Sequence, residues 1–148
     1  MTEFAPRLFH SDAEIEHLGE GLLARTLPRD EWTHEAHLAT TCWLIKERPE
    51  IVPERDLPDL IRRFNESVGG RNDDREGYHE TITQTYVAAI RAHLSERKGD
   101  EALVDSVNAL LASERGRRDW PLRFYSPGRL FSVEARREFV PPDLAALP

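Results

Sequence analysis

The sequence predicts an all-α fold, an up-and-down helical bundle of about five helices in a single domain over residues 1–148, closed by an irregular C-terminal wrap. Three observations carry this expectation. Apolar residues recur at three- and four-residue intervals in five separate segments, and no segment alternates apolar with polar residues as a half-buried strand would. A composition of 39% hydrophobic and 32% charged residues suits helices with one buried stripe and a charged outer face. The 148 residues are enough to bury a core without covalent staples.

Each element has its own signals. Ser11 followed by Glu14 has capping-box spacing, and Ile15, Leu18 and Leu22 then recur along a first helix of roughly residues 12–26. Thr33 is an N-cap for a second helix that carries His34, His37, Leu38, Thr41 and Ile45 on one face and ends before Pro49. Asp56 is read as the cap of a third helix, with Pro58 in its first turn and Leu57, Leu60, Ile61 and Phe64 facing inward. The run GGRNDDREG, rich in glycine and charge, reads as a loop. A fourth helix over roughly 78–95 aligns His79, Ile82, Thr83, Tyr86 and His93, and a fifth over roughly 100–114 aligns Leu103, Val107, Leu110 and Leu111. Beyond it, Ser126 and Ser132 are placed to cap two short helices in a tail of mixed aromatics, arginines and prolines.

Charge and composition narrow the partners. Twenty basic against 27 acidic residues leave a net charge of -7, so no global attraction to a phosphate backbone exists and nucleic acid is not expected as a partner. No run of about 18 apolar residues occurs, so no membrane span is expected. Cys42 is the lone cysteine, which precludes an internal disulfide and fits a cytoplasmic location. It falls in the middle of the second helix and reads as inert core.

The chemistry-bearing pattern is a set of histidines. In WTHEAHL, His34 and His37 stand three residues apart on one helical face, where Cβ atoms lie roughly 5–6 Å apart, and two such imidazoles can share a metal. In GYHETIT, His79 opens another core stripe. An up-and-down bundle makes the second and fourth helices parallel, so His34, His37 and His79 are expected to converge at one end. Helix N-termini also favour neutral imidazole, the form that binds metal. A buried histidine satisfied by a carbonyl would look the same in sequence. Glu80 and Tyr86 are candidates for proton transfer, although a solvated helix-end acid and a packed tyrosine explain them better. Arg71 and Arg75, with Arg29 and Asn72, are expected near the mouth of this end. Arg123, Tyr125 and Arg129 could supply an anion clamp from the tail, or simply lay their stems over aromatics.

The runs WTHEAHL, GYHETIT and LFSVEARREFVPPDL resemble a family of small bacterial helical proteins of uncharacterised reaction, over Leu27 to Leu144. The chain is also distantly similar to the DinB/YfiT-type bundles, with the order of close pair and single histidine reversed. That likeness implies a three-histidine divalent metal site, to which His34, His37 and His79 would correspond. The leading expectation is therefore a small metalloenzyme that holds a divalent ion, Zn, Fe, Mn or Cu, and acts on a small polar or anionic molecule. The alternative is a metal-free helical domain that binds a ligand or a protein partner.

Overall fold

The computed structural model describes residues 5–148. Its regular structure is helical: α1 (Asp12–Ala24), α2 (His34–Glu47), α3 (Pro53–Ser67), α4 (Glu80–Ser95) and α5 (Leu103–Ala112), then the short α6 (Pro127–Leu130) and α7 (Val133–Arg137). Turns of 3-10 helix occupy Arg29–Glu31, Glu114–Gly116 and Trp120–Arg123. None of the helices among the described residues is long and apolar enough to cross a membrane.

The local signals explain where most helices begin. Ser11 Oγ accepts from Glu14 N–H at 3.2 Å, Thr33 Oγ1 from Ala36 N–H at 3.1 Å, and Ser126 and Ser132 cap α6 and α7 in the same way. Each cap pairs an amide that the first turn would otherwise leave unbonded. The return half of the first box differs from expectation, because Glu14 accepts from His10 N–H rather than from Ser11.

Three starts differ from the sequence reading, the simplest being α5, which begins at Leu103 rather than near residue 100. Helix α3 begins at Pro53, whose fixed φ and missing N–H suit a first helical position. Asp56 is consequently inside the helix, and its carboxylate reaches back to Val52 N–H at 2.9 Å. Pro58 is interior as well and cannot bond the Glu54 carbonyl one turn earlier. Gln84 of α4 donates to that orphaned carbonyl at 3.1 Å, so the proline that weakens α3 also ties it to α4. Helix α4 begins at Glu80, not Tyr78, with His79 outside it as the N-cap.

The helices share one cluster of buried residues, drawn from Ile15 and Leu22 of α1, Leu38 and Leu44 of α2, Phe64 of α3, Ile90 of α4 and Leu110 of α5. Helix α1 lies along α2, which also packs on α4 and α5, while α3 and α7 pack on α4. At Gly19 the approach of α1 to α2 is so close that a Cβ would stand 2.2 Å from the Trp43 ring. Cys42 is fully buried and burial pushes its thiol up to about 12, which leaves it protonated and unreactive.

The C-terminal wrap is fastened by polar contacts as well as packing. Tyr125 is wholly buried and donates to the Val140 carbonyl at 2.6 Å, and Arg129 Nε donates to the Pro141 carbonyl at 2.6 Å. Thr81 of α4 donates to the Glu138 carbonyl at 3.0 Å and accepts from Val140 N–H at 3.2 Å.

Candidate functional site

The three histidines do not form the expected ligand set. Among the described residues no group of three or more His, Cys, Asp or Glu side chains is placed to hold a metal ion. The reason lies in their hydrogen bonds. His79 Nδ1 accepts from Ile82 N–H at 3.1 Å and its Nε2–H donates to the Leu130 carbonyl at 2.8 Å, so both ring nitrogens are occupied. His34 Nε2 donates to the Gly116 carbonyl at 2.9 Å, and its ring meets Tyr86 edge-on at 5.5 Å. Burial lowers the pKa of both, partly offset by these carbonyl contacts.

His37 is different. Its Nε2 is buried with no hydrogen-bond partner among the described residues, and desolvation, reinforced by the charge His34 would carry, lowers its pKa to about 3. Trp32, in the turn before α2, has its ring centroid 4.0 Å from that of His37 and 5.5 Å from that of Phe64. Its indole Nε1 is also buried and unpartnered. Native proteins pair nearly all buried polar groups, because leaving one unpaired costs roughly 1–3 kcal/mol, so two orphans in touching rings call for an explanation.

Both rings stand at the junction of two cavities. The outer one, about 450 Å³, lies between α3, the start of α4 and the loop joining them, and its wall includes Arg29, Trp32, His37, Phe64, Arg71 and His79. The inner one, about 90 Å³, is walled by Leu38, Leu57, Ile61, Ile82 and Val87, with His34, Thr41 and Tyr86. Trp32, His37, Ile61, Ile82 and Thr83 line both. His37 thus shares the outer cavity with His79 and the inner one with His34, which is as near as the three come to a common site.

The outer wall is held in shape by Asn72. Its Nδ2 donates to the Arg62 carbonyl at 3.0 Å, and its Oδ1 accepts from Tyr78 N–H and Asn65 Nδ2, each at 3.0 Å. Gly77 closes the loop at φ +87, where a Cβ would fall 2.0 Å from the Arg71 carbonyl. Arg136 donates to the Gly77 carbonyl at 3.0 Å, and Arg137 pairs with Asp74, which ties the loop to α7.

The remaining candidates fall elsewhere. Glu80 takes a 2.5 Å hydrogen bond from Tyr78, whose pKa is raised by burial and by that carboxylate. Tyr86 donates to the Arg117 carbonyl at 2.5 Å, and burial raises its pKa, so its proton is held. Arg75 is exposed and does not line the cleft. Of the residues expected as an anion clamp, Arg123 pairs with Glu114 and lies over the Trp120 ring, Tyr125 donates to the Val140 carbonyl and Arg129 to the Pro141 carbonyl. His10 and His17 are exposed, and His93 donates to the Ser106 carbonyl at 2.8 Å, away from the cleft. Trp32 and Phe64 are the site residues that sequence reasoning passed over. The signal for Trp32 was present in WTH, an aromatic immediately before a helix cap.

Fold and site together define an all-helical protein with an aromatic cleft whose rim carries Arg29 and Arg71. Comparison with protein-family models, curated proteins and solved structures gives no match.

Proposed function

We propose that this chain is a small-molecule-binding helical domain whose ligand enters the cleft between α3, α4 and the turn before α2. The observation that carries the reading is the pair of buried nitrogens, Trp32 Nε1 and His37 Nε2, unpartnered where the two cavities meet. The rings touch and their nitrogens face neither cavity openly, so an acceptor that reached them as the rings shifted on ligand entry would satisfy both and recover the desolvation already incurred. The outer cavity, about 450 Å³, falls within the range that takes small organic ligands.

Two features favour binding over the metal-centred chemistry that the histidine spacing suggests. Coordination by His79 would need the loss of the Ile82 or Leu130 hydrogen bond. A histidine with its pKa near 3 is also a poor general base at neutral pH. The up-and-down order of α1 to α4 is part of this proposal, since it brings the starts of α2 and α4 to one end and accounts for His37 and His79 beside one cleft. A cytoplasmic setting goes with the lone buried Cys42.

The test is a thermal-shift screen of small acceptor-bearing compounds, followed by calorimetry of the hits against Trp32→Phe and His37→Phe. The expected result is hits whose affinity falls about tenfold or more in each variant, for loss of a buried hydrogen bond. Hits that bind both variants as tightly as the parent would overturn the proposal. Elemental analysis of the same preparations gives the rival reading its chance, because about one tightly held divalent ion per chain would restore the metal site.

A further inference from the structure

We infer that the ligand of the outer cavity is a small monocarboxylate with an apolar body, its charged end held at Arg29 and Arg71. This rests on the reading of the cleft as a binding site, and it names the class of molecule that the outer cavity takes.

The charge follows from the two arginines. The chain carries 27 acidic against 20 basic residues, and among the described residues ten arginines form ion pairs. Arg29 and Arg71 form none there, yet both are exposed and line the outer cavity. The acids beside them in sequence are engaged elsewhere. Asp30 and Glu31 line a different cavity, where Glu31 lies 3.5 Å from His17. Asp73 accepts from the Arg75 and Glu76 N–H groups at 2.9 and 3.0 Å, and Asp74 pairs with Arg137. Two arginines against Glu76, the one acid in the outer lining, leave an excess of one positive charge. His37 and His79 add none at neutral pH, because burial lowers the pKa of each. A single carboxylate balances that excess, and guanidinium donors match its planar geometry. A dianion would exceed it and meet the like charge of Glu76.

The body follows from the rest of the wall. Ile61 and Phe64 of α3 and Val68 at its end recur at three- and four-residue intervals, so they share one face, and all three line the cavity together with Trp32, Tyr78 and Ile82. Polar side chains of the same wall are already bonded. Asn65 Nδ2 donates to Asn72 Oδ1 at 3.0 Å, the Tyr78 hydroxyl donates to Glu80, and both ring nitrogens of His79 are taken. A polar group carried away from the arginines would therefore lose its water and gain little, whereas an apolar one loses nothing. The volume of about 450 Å³ has room for a phenyl ring on a short chain without any use of the inner cavity.

3-Phenylpropionate serves as the probe. 3-Phenylpropanamide lacks its charge, acetate lacks its body, and 2-phenylethyl phosphate carries a second charge at pH 8, above the phosphate second pKa of about 6. Calorimetric titration of the full chain at pH 8 is expected to rank the carboxylate first, with the amide about tenfold weaker for loss of charge-assisted hydrogen bonds at an exposed rim. Acetate is expected to bind about fiftyfold weaker for loss of the buried ring, and the phosphate no tighter than the carboxylate. Arg29→Gln and Arg71→Gln should each weaken the carboxylate several-fold and leave the amide unchanged, which a merely structural role would not do.

An amide that binds as well as the carboxylate, or a carboxylate indifferent to both arginine variants, overturns the charged end. Acetate of equal affinity overturns the apolar body, and a phosphate that binds tenfold tighter overturns the single charge. Failure of all four probes overturns the inferred class. The compound screen described above, run on the same protein, tells that failure from failure of the cleft as a binding site, because other hits sensitive to Trp32→Phe would leave the cleft standing.

Discussion

The rings of Trp32 and His37 lie 4.0 Å apart, centroid to centroid, tilted by 47°, and each holds a buried nitrogen without a hydrogen-bond partner among the described residues. The pair lines both the outer and the inner cavity. Retaining both orphans costs the fold on the order of 1–3 kcal/mol each, a cost that an acceptor from a ligand would offset. The consequences can be tested in the protein without any ligand.

The first concerns pH. The pKa of His37 is lowered in the folded protein to about 3, while the unfolded chain titrates near the ordinary histidine value of 6.5. Below pH 6.5 the unfolded state therefore binds the extra proton, and stability falls as pH drops toward 3. His34 and His79 are lowered too and act in the same direction. Urea unfolding at pH 7 and pH 5.5 should show a loss of about 1 kcal/mol from His37 alone. His37→Gln should remove that part of the slope, and an unchanged slope would count against the buried neutral imidazole.

The second concerns the cap of α4. His79→Ala removes the acceptor for Ile82 N–H and the donor to the Leu130 carbonyl together, so a loss of about 2–3 kcal/mol is expected. His79→Asn can restore the cap but is too short to replace the tether, and should recover about 1 kcal/mol of it. Hydrogen exchange at Ile82 and thermal unfolding read the two contributions separately. Equal stability of the Ala and Asn variants would show that the cap contributes nothing.

Asn72→Ala dismantles the knot that shapes the outer wall. Its side chain serves Arg62, Asn65 and Tyr78 at once, and its loss should cost about 2–3 kcal/mol while exposing residues 69–78 to proteolysis. Limited proteolysis with mass spectrometry locates the first cut. A first cut outside this loop would mean that other contacts hold it.

Gly19→Ala probes the contact between α1 and α2. A Cβ 2.2 Å from the Trp43 ring forces a shift in a packed core, so a loss of about 1–3 kcal/mol is expected, although alanine favours helix by roughly 1 kcal/mol over glycine. A rise in the melting temperature would show that Trp43 moves aside freely.

The sequence by itself determined the helical class, five long helices and the caps at Ser11, Thr33, Ser126 and Ser132. These follow from interactions within about four residues, which spacing and residue type record directly. It misplaced the start of α3, because the Pro53 signal and the reach of Asp56 back to Val52 compete with Asp56 as a cap. Only the tertiary structure decided what the histidines do. The carbonyls that occupy His34 and His79 come from Gly116 and Leu130, 82 and 51 residues further along the chain, while none reaches His37. An imidazole free to bind a ligand and one already spent on a carbonyl have the same spacing on their helix. The difference lies in which distant backbone packs against the ring, and a three-residue interval carries no information about that.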